Sequence, residues 1–180
     1  FVVIFAHFHL LFLLLQVVVP TWLSKSLCKE PITIKAYSMN PVFHLSIPVD
    51  DLDRAKSFYL NTLGCEIGRE TKGRFDINFF SHHVVAHLSP KDAAKDDGTI
   101  PSDGATSPLR HFGVVLEPDE WNEMKTRLET ADVEWVLTPR ISFEGKPAEQ
   151  RIMQCRDGAG NVVEFKGQPR ERVFANEMPS

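Results

Sequence analysis

The sequence predicts an α+β protein built from two tandem βαβββ modules, whose mixed sheets curve into a barrel-like cleft. Three observations carry that expectation. A period-two apolar pattern runs into a helical one between Val42 and Gly64, the same grammar restarts at Arg110, and a polar connector separates the two.

In the first module Phe43, Leu45, Ile47 and Val49 alternate with His44, Ser46 and Pro48, the pattern of a strand. Asp50 and Asp51 offer an N-cap, Ala55, Phe58, Tyr59 and Leu63 recur at helical spacing, and Gly64 supplies a C-cap. Strands follow near Cys65 to Glu70, Arg74 to Phe80 and Val84 to Leu88, with turn-type residues at Lys72-Gly73 and Ser81-His82 between them. Ser89 to Pro108, rich in Asp, Gly, Ser, Thr, Ala and Pro, reads as a surface loop. His111 then opens the run Phe112 to Leu116, and Pro118-Asp119 starts a helical pattern through Trp121, Met124 and Leu128. Strands are expected near Trp135 to Arg140, Gln150 to Cys155 and Val162 to Lys166, the last after the turn Asp157-Gly158-Ala159-Gly160-Asn161. An offset of 67 residues sets His44 on His111. The organisation is thus module one at 41–90, a linker at 91–108 and module two at 109–167, inside a domain of 39–170 with a tail at 171–180.

Residues 1–38 stand apart. Among the first 20, 16 are apolar and only His7, His9, Gln16 and Pro20 interrupt them, which is long enough for a signal or a membrane anchor. With no basic segment ahead of the apolar run, the stretch reads first as a non-native leader and second as a targeting or anchor segment. Its charged residues are Lys25, Lys29, Lys35 and Glu30, so the rest of the chain is more acidic than the whole.

Composition narrows the function. The 180 residues are 43% apolar and include 13 Phe and 3 Trp, enough to bury a core. Against 20 Lys and Arg stand 24 Asp and Glu, a net charge of −4 with no basic block, so nucleic acid is not an expected partner. Cys28, Cys65 and Cys155 are odd in number and form no Cys-x-x-Cys pair, which argues against a disulfide framework or zinc knuckle. Reducing, cytoplasmic surroundings are expected, or membrane attachment if residues 1–20 are a genuine anchor. Cys65 and Cys155 read as inert packing residues. Ser46 and Ser81 lack a nucleophile elbow, and Gly158-x-Gly160 precedes a strand rather than a helix, so hydrolase and nucleotide chemistry fall away.

The remaining chemistry is that of a metal. His44 and His111 hold equivalent places in the two modules, and symmetry is expected to bring them together on the cleft floor. Glu164 lies between Val163 and Phe165, and a carboxylate in an apolar strand is costly unless it is paired or bound to a cation. Two imidazoles and one carboxylate make the facial triad of non-haem iron oxygenases, with coordination positions left open. In the alternative, both histidines bond backbone and Glu164 faces solvent. His87 lies on the strand equivalent to that of Glu164 and reads as a catalytic proton-handling group, a fourth ligand or a core histidine. His82 and His83, at the mouth of that strand, read as exposed.

The run from Phe43 through Pro48-Val49-Asp50-Asp51-Leu52-Asp53-Arg54-Ala55 to Tyr59, with Leu63-Gly64-Cys65, resembles the opening of the vicinal oxygen chelate superfamily. This group contains glyoxalase I, extradiol dioxygenases, fosfomycin-resistance enzymes and bleomycin-binding proteins. The closing run Asp157 to Phe165 is similar to its C-terminal signature, with Gly158 where Pro is usual, and the resemblance spans about Asn40 to Gly167. It implies paired βαβββ modules and a divalent metal on His44, His111 and Glu164. Within the superfamily the chain looks most like small extradiol-type dioxygenases, which implies Fe(II), a small catecholic or vicinal-oxygen substrate and a homodimer. The alternatives are a glyoxalase-like isomerase or lyase using Zn, Ni or Mn, and a metal-free binding protein of the bleomycin-resistance kind. Two departures stand out: well-studied ring-cleaving enzymes usually carry four modules, and glyoxalase I usually has Glu where His87 stands.

Overall fold

The computed structural model describes residues 41–93 and 98–174. Residues 1–38, with the leader or anchor expected there, lie outside the described residues. No helix among the described residues is long and apolar enough to cross a membrane.

Module one runs β1 (His44–Val49), α1 (Leu52–Lys56, continued by a π-helical stretch Ser57–Thr62), β2 (Glu66–Thr71), β3 (Arg74–Phe79) and β4 (His82–Leu88). Two short strands follow, β5 (Thr99–Ser102) and β6 (Ala105–Pro108). Module two repeats the order with β7 (Phe112–Leu116), α2 (Pro118–Thr130), β8 (Trp135–Ser142), β9 (Gln150–Arg156) and β10 (Val162–Gly167), and α3 (Arg170–Val173) closes the described chain. The four-stranded sheets have orders β1-β4-β3-β2 and β7-β10-β9-β8, with the first and last strands of each module parallel and the other pairs antiparallel. Both sheets are open and curved; neither closes into a barrel.

The helices form where the sequence caps them. The Asp51 side chain accepts the backbone N–H groups of Asp53 and Arg54, satisfying donors that the first turn of α1 leaves free. From Ser57 the helix widens, with Leu63 N–H donating to the Phe58 carbonyl five residues back. That widening departs from the regular period expected over this stretch, and it accompanies burial of the adjacent aromatics Phe58 and Tyr59. In α2, Pro118 occupies the first turn, Glu117 and Glu120 form a reciprocal capping box, and Trp121, Met124 and Leu128 face the core.

The connector departs from the expected loop. Asp103 and Gly104 both have positive φ, 45° and 73°, as a tight turn between antiparallel strands requires, and β5 pairs with β6 around them. This hairpin is tied to module two. Arg140 Nη2 donates to the Asp103 carbonyl at 2.8 Å, and Phe143 N–H donates to the Asp103 carboxylate at 2.8 Å.

One apolar cluster joins the modules. It includes Ile47, Tyr59, Phe75 and Phe79 from module one and Leu128, Met153, Cys155 and Phe165 from module two. Phe79 packs on Phe112, and Phe80 on Phe165. Burial pushes the thiols of Cys65 and Cys155 up to about 11 and about 12, so both stay protonated and unreactive at neutral pH. At the centre lies Asp157, 1% exposed. Its carboxylate accepts from Tyr59 Oη at 3.0 Å and, at 2.8 Å each, from Ala159 N–H, Asn161 N–H and Asn161 Nδ2. The turn it organises reaches module one: Asn161 Nδ2 also donates to the Pro48 carbonyl, and Asp50 N–H donates to the Ala159 carbonyl. Burial and the Asp157 charge both raise the Tyr59 pKa well above its ordinary value, so the phenol remains a donor.

Replacing Asp157 by Ala leaves several buried donors without an acceptor and should cost about 3 kcal/mol, whereas Tyr59→Phe removes one hydrogen bond and should cost about 1 kcal/mol. Urea unfolding measures both. Equal losses for the two variants would contradict the role given to Asp157.

Candidate metal centre

Strand alternation divides each sheet into two faces. In module one Ile47, Val49, Phe75, Ile77, Val84 and Ala86 enter the core, whereas His44, Asp76, Asn78, His83 and His87 share the opposite face by register. In module two Val163, Phe165, Met153 and Cys155 enter the core, and Glu164 and Gln154 pair across the opposite face.

His111 and Glu164 meet. His111 precedes β7, and its Nδ1 donates to the Pro108 carbonyl at the end of β6, at 2.8 Å. That bond leaves Nε2 facing Glu164 Oε2 at 3.5 Å. The other carboxylate oxygen, Oε1, accepts from Gln154 Nε2 at 2.9 Å, and Lys166 Nζ stands 3.6 Å from Oε2. Glu164 is 9% exposed, and the amide oxygen of Gln154 behind it is buried with no hydrogen-bond partner among the described residues. Beside it β7 approaches β10 closely at Gly113, where a Cβ would collide with the carbonyl oxygen of Glu164.

The electrostatics follow from the pairing. Contact with the Glu164 carboxylate raises the His111 pKa, against the opposing effect of burial. Burial would raise the Glu164 pKa, but His111, Gln154 and Lys166 together outweigh it and the carboxyl is held below its ordinary value. Without a cation the two groups form an ion pair when His111 is protonated; with one, neutral Nε2 and the carboxylate are both donors.

The third expected ligand lies elsewhere in the chain. His44 opens β1 and is exposed, and its Nδ1 stands 3.0 Å from Nδ1 of His83. Among the described residues no three His, Cys, Asp or Glu side chains stand close enough to share a metal, so a single chain does not gather His44, His111 and Glu164. His87 shares the His44 face but lies four residues beyond His83, roughly 13 Å along the strand. It is part-exposed. His83, expected to be merely exposed, contacts both His44 and the buried Asp76. Nothing in the spacing of the sequence marks that contact, because it depends on the pairing of β1, β3 and β4.

Two cavities border these groups. One of about 360 Å³ is lined by Ser46, Pro48, Arg110, His111, Phe112 and Asn161. The other, about 370 Å³, is bordered by Glu66, Arg69, Asp76, Asn78 and His83. Each has the volume of a small-molecule site.

The model of the Glyoxalase/Bleomycin resistance protein/Dioxygenase superfamily matches residues 42–165. Among solved structures, a glyoxalase/bleomycin resistance protein/dioxygenase from Alicyclobacillus acidocaldarius is 28% identical, with a TM-score of 0.64 over 76% of this chain and 97% of that one. A genomically encoded fosfomycin resistance protein from Listeria monocytogenes is 14% identical, with a TM-score of 0.57 over 76% of this chain and 99% of that one. A lactoylglutathione lyase from Agrobacterium tumefaciens is 20% identical, with a TM-score of 0.51 over 77% and 99%. The likeness to these last two is one of fold. No curated protein matches the chain.

The His111–Glu164 pair sets a pH dependence of stability for the metal-free protein. The His111 contribution is complete below its unfolded value near 6.5 and is lost as pH rises past the raised native value. The Glu164 contribution is complete above about 4.5 and is lost as pH falls through the lowered native value. The advantage of wild type over Glu164→Gln in urea unfolding should therefore be widest between those two pH values and should shrink as pH falls through the lowered Glu164 value or rises past the raised His111 value. A difference independent of pH would refute the pairing.

Proposed function

The chain belongs to the glyoxalase/bleomycin resistance protein/dioxygenase superfamily, and from that premise we propose that it is a metal-dependent enzyme of the extradiol-dioxygenase type. Its metal in this reading is Fe(II), and its substrate is a small molecule with two adjacent oxygens. The observation that carries the reading is the buried Glu164 carboxylate facing His111 Nε2, with His111 Nδ1 already committed to a carbonyl. Two imidazoles and one carboxylate suit Fe(II) and also accept Zn, Ni or Mn.

His44 completes the donor set, and we assign it to a second copy of the chain. β1 and β7 are edge strands, His44 is exposed, and the neighbouring Val42 and Phe43 are 63% and 57% exposed. An apolar rim on a strand edge left unpaired among the described residues suits a homodimer. Each site then takes His111 and Glu164 from one chain and His44 from the other.

The metal would supply Lewis acidity and, as Fe(II), the electron chemistry that dioxygen requires. The protein's part is positional. Gln154 holds one oxygen of Glu164 and directs the other toward His111. The 360 Å³ cavity beside His111 gives a small substrate its place. His87, on the His44 face, is assigned to proton transfer.

Anaerobic purification followed by metal analysis tests the reading. Iron near one atom per chain should fall at least tenfold in His111→Ala and in Glu164→Gln, and oxygen uptake with catechols should fall with it. A mixture of His44→Ala and His111→Ala chains should recover binding, because the mixed dimer contains one intact site. Bound Zn, Ni or Mn with no oxygen uptake would move the activity to a lyase or isomerase. Absence of metal in every preparation would leave a small-ligand binding protein.

A further inference from the structure

Three neighbouring strands of module one bring together Asp76, His83 and His44 on one face. His44 and His83 are register partners of β1 and β4, and Asp76 lies on β3 alongside. The rings of His44 and His83 are inclined by 29°, and their Nδ1 atoms are 3.0 Å apart. Two neutral imidazole nitrogens at that distance share one hydrogen, so one ring donates and the other accepts.

The surroundings decide which ring donates. His83 Nε2 lies 3.4 Å from Asp76 Oδ2, and Asp76 is itself held by Arg69 Nε at 2.9 Å. The Asp76 side chain is 8% exposed and its Oδ1 has no hydrogen-bond partner among the described residues. A buried carboxylate beside Nε2 keeps the proton of His83 on Nε2, which makes His83 Nδ1 the acceptor. His44 must then donate from Nδ1, and its Nε2 carries the free lone pair. His111 likewise commits Nδ1, to the Pro108 carbonyl, and turns Nε2 toward Glu164.

We propose that Asp76 and His83 are positioning residues that hold His44 in its Nδ1–H tautomer and present Nε2 as the ligand atom. The purpose of the device rests on the reading of His44 as a metal ligand, whereas the tautomer itself does not. Backing of this kind fixes ring orientation and raises the basicity of the ligating nitrogen, and its loss costs roughly 10- to 100-fold in metal affinity.

The test is nitrogen-15 NMR of the imidazoles in the full, metal-free chain, at a pH where the histidines are neutral. His44 should carry its proton on Nδ1 in wild type and in His83→Gln, whose amide oxygen still accepts. In His83→Leu the exposed imidazole should revert to the tautomer mixture of a histidine in water, and Zn(II) affinity should drop about tenfold or more. His83 is 37% exposed, so both variants should fold, and circular dichroism checks this. A wild-type His44 protonated on Nε2 overturns the inference, as does a Leu variant that matches the Gln variant in tautomer and Zn(II) affinity. A chain that binds no metal but shows the Nδ1–H tautomer, lost only in His83→Leu, would refute the metalloenzyme reading and leave the positioning intact.

Discussion

The protein depends on one buried anion. Asp157 has almost no contact with water, and a carboxylate in that position is tolerable only because four donors converge on it. Three belong to its own turn and one, Tyr59, to the other module. The pattern therefore closes a turn and docks two sheets at once, and the docking sets which faces of the sheets remain for chemistry. With the apolar faces turned to α1, α2 and each other, the polar faces carry His44 on one sheet and Glu164 on the other.

The second organising constraint is the cost of Glu164. Its place on β10 puts it on the chemical face, and Gln154, His111 and Lys166 offset its desolvation. The histidine owes its direction to the connector, because the acceptor for its Nδ1 is the last residue of β6. A segment between the modules thereby becomes part of the site. Here the repeats supply the strands, and the insertion differentiates them.

Much of this was legible in the chain. Period-two alternation located the strands within a few residues, because one face of each sheet is buried and the other is not. His44, His111 and Glu164 stood out because an imidazole at the start of equivalent strands and a carboxylate among Val163 and Phe165 are chemically conspicuous. The turn Asp157 to Asn161 was legible as a turn, but its grip on Tyr59 was not, since 98 residues separate the partners. The β5–β6 hairpin was missed although Asp103-Gly104 is a strong hairpin dipeptide, because Pro101 and Thr106 around it carry no apolar alternation. Asp76 and His83 were illegible for a different reason. Their contact exists only once β3, β4 and β1 are set in register, and register is a property of the folded sheet.

Gly113 ties two positions that a mutation would otherwise treat as separate. The space that a methyl group would need is filled by the main chain of Glu164, not by a side chain that could turn aside. Larger residues at 113 are thus excluded for as long as β7 and β10 keep this spacing, whatever side chain stands at 164. The glycine answers to the sheet and not to the chemistry: descendants of this sequence that had lost the carboxylate would still need it, and its loss would mark a change in how the two strands pair.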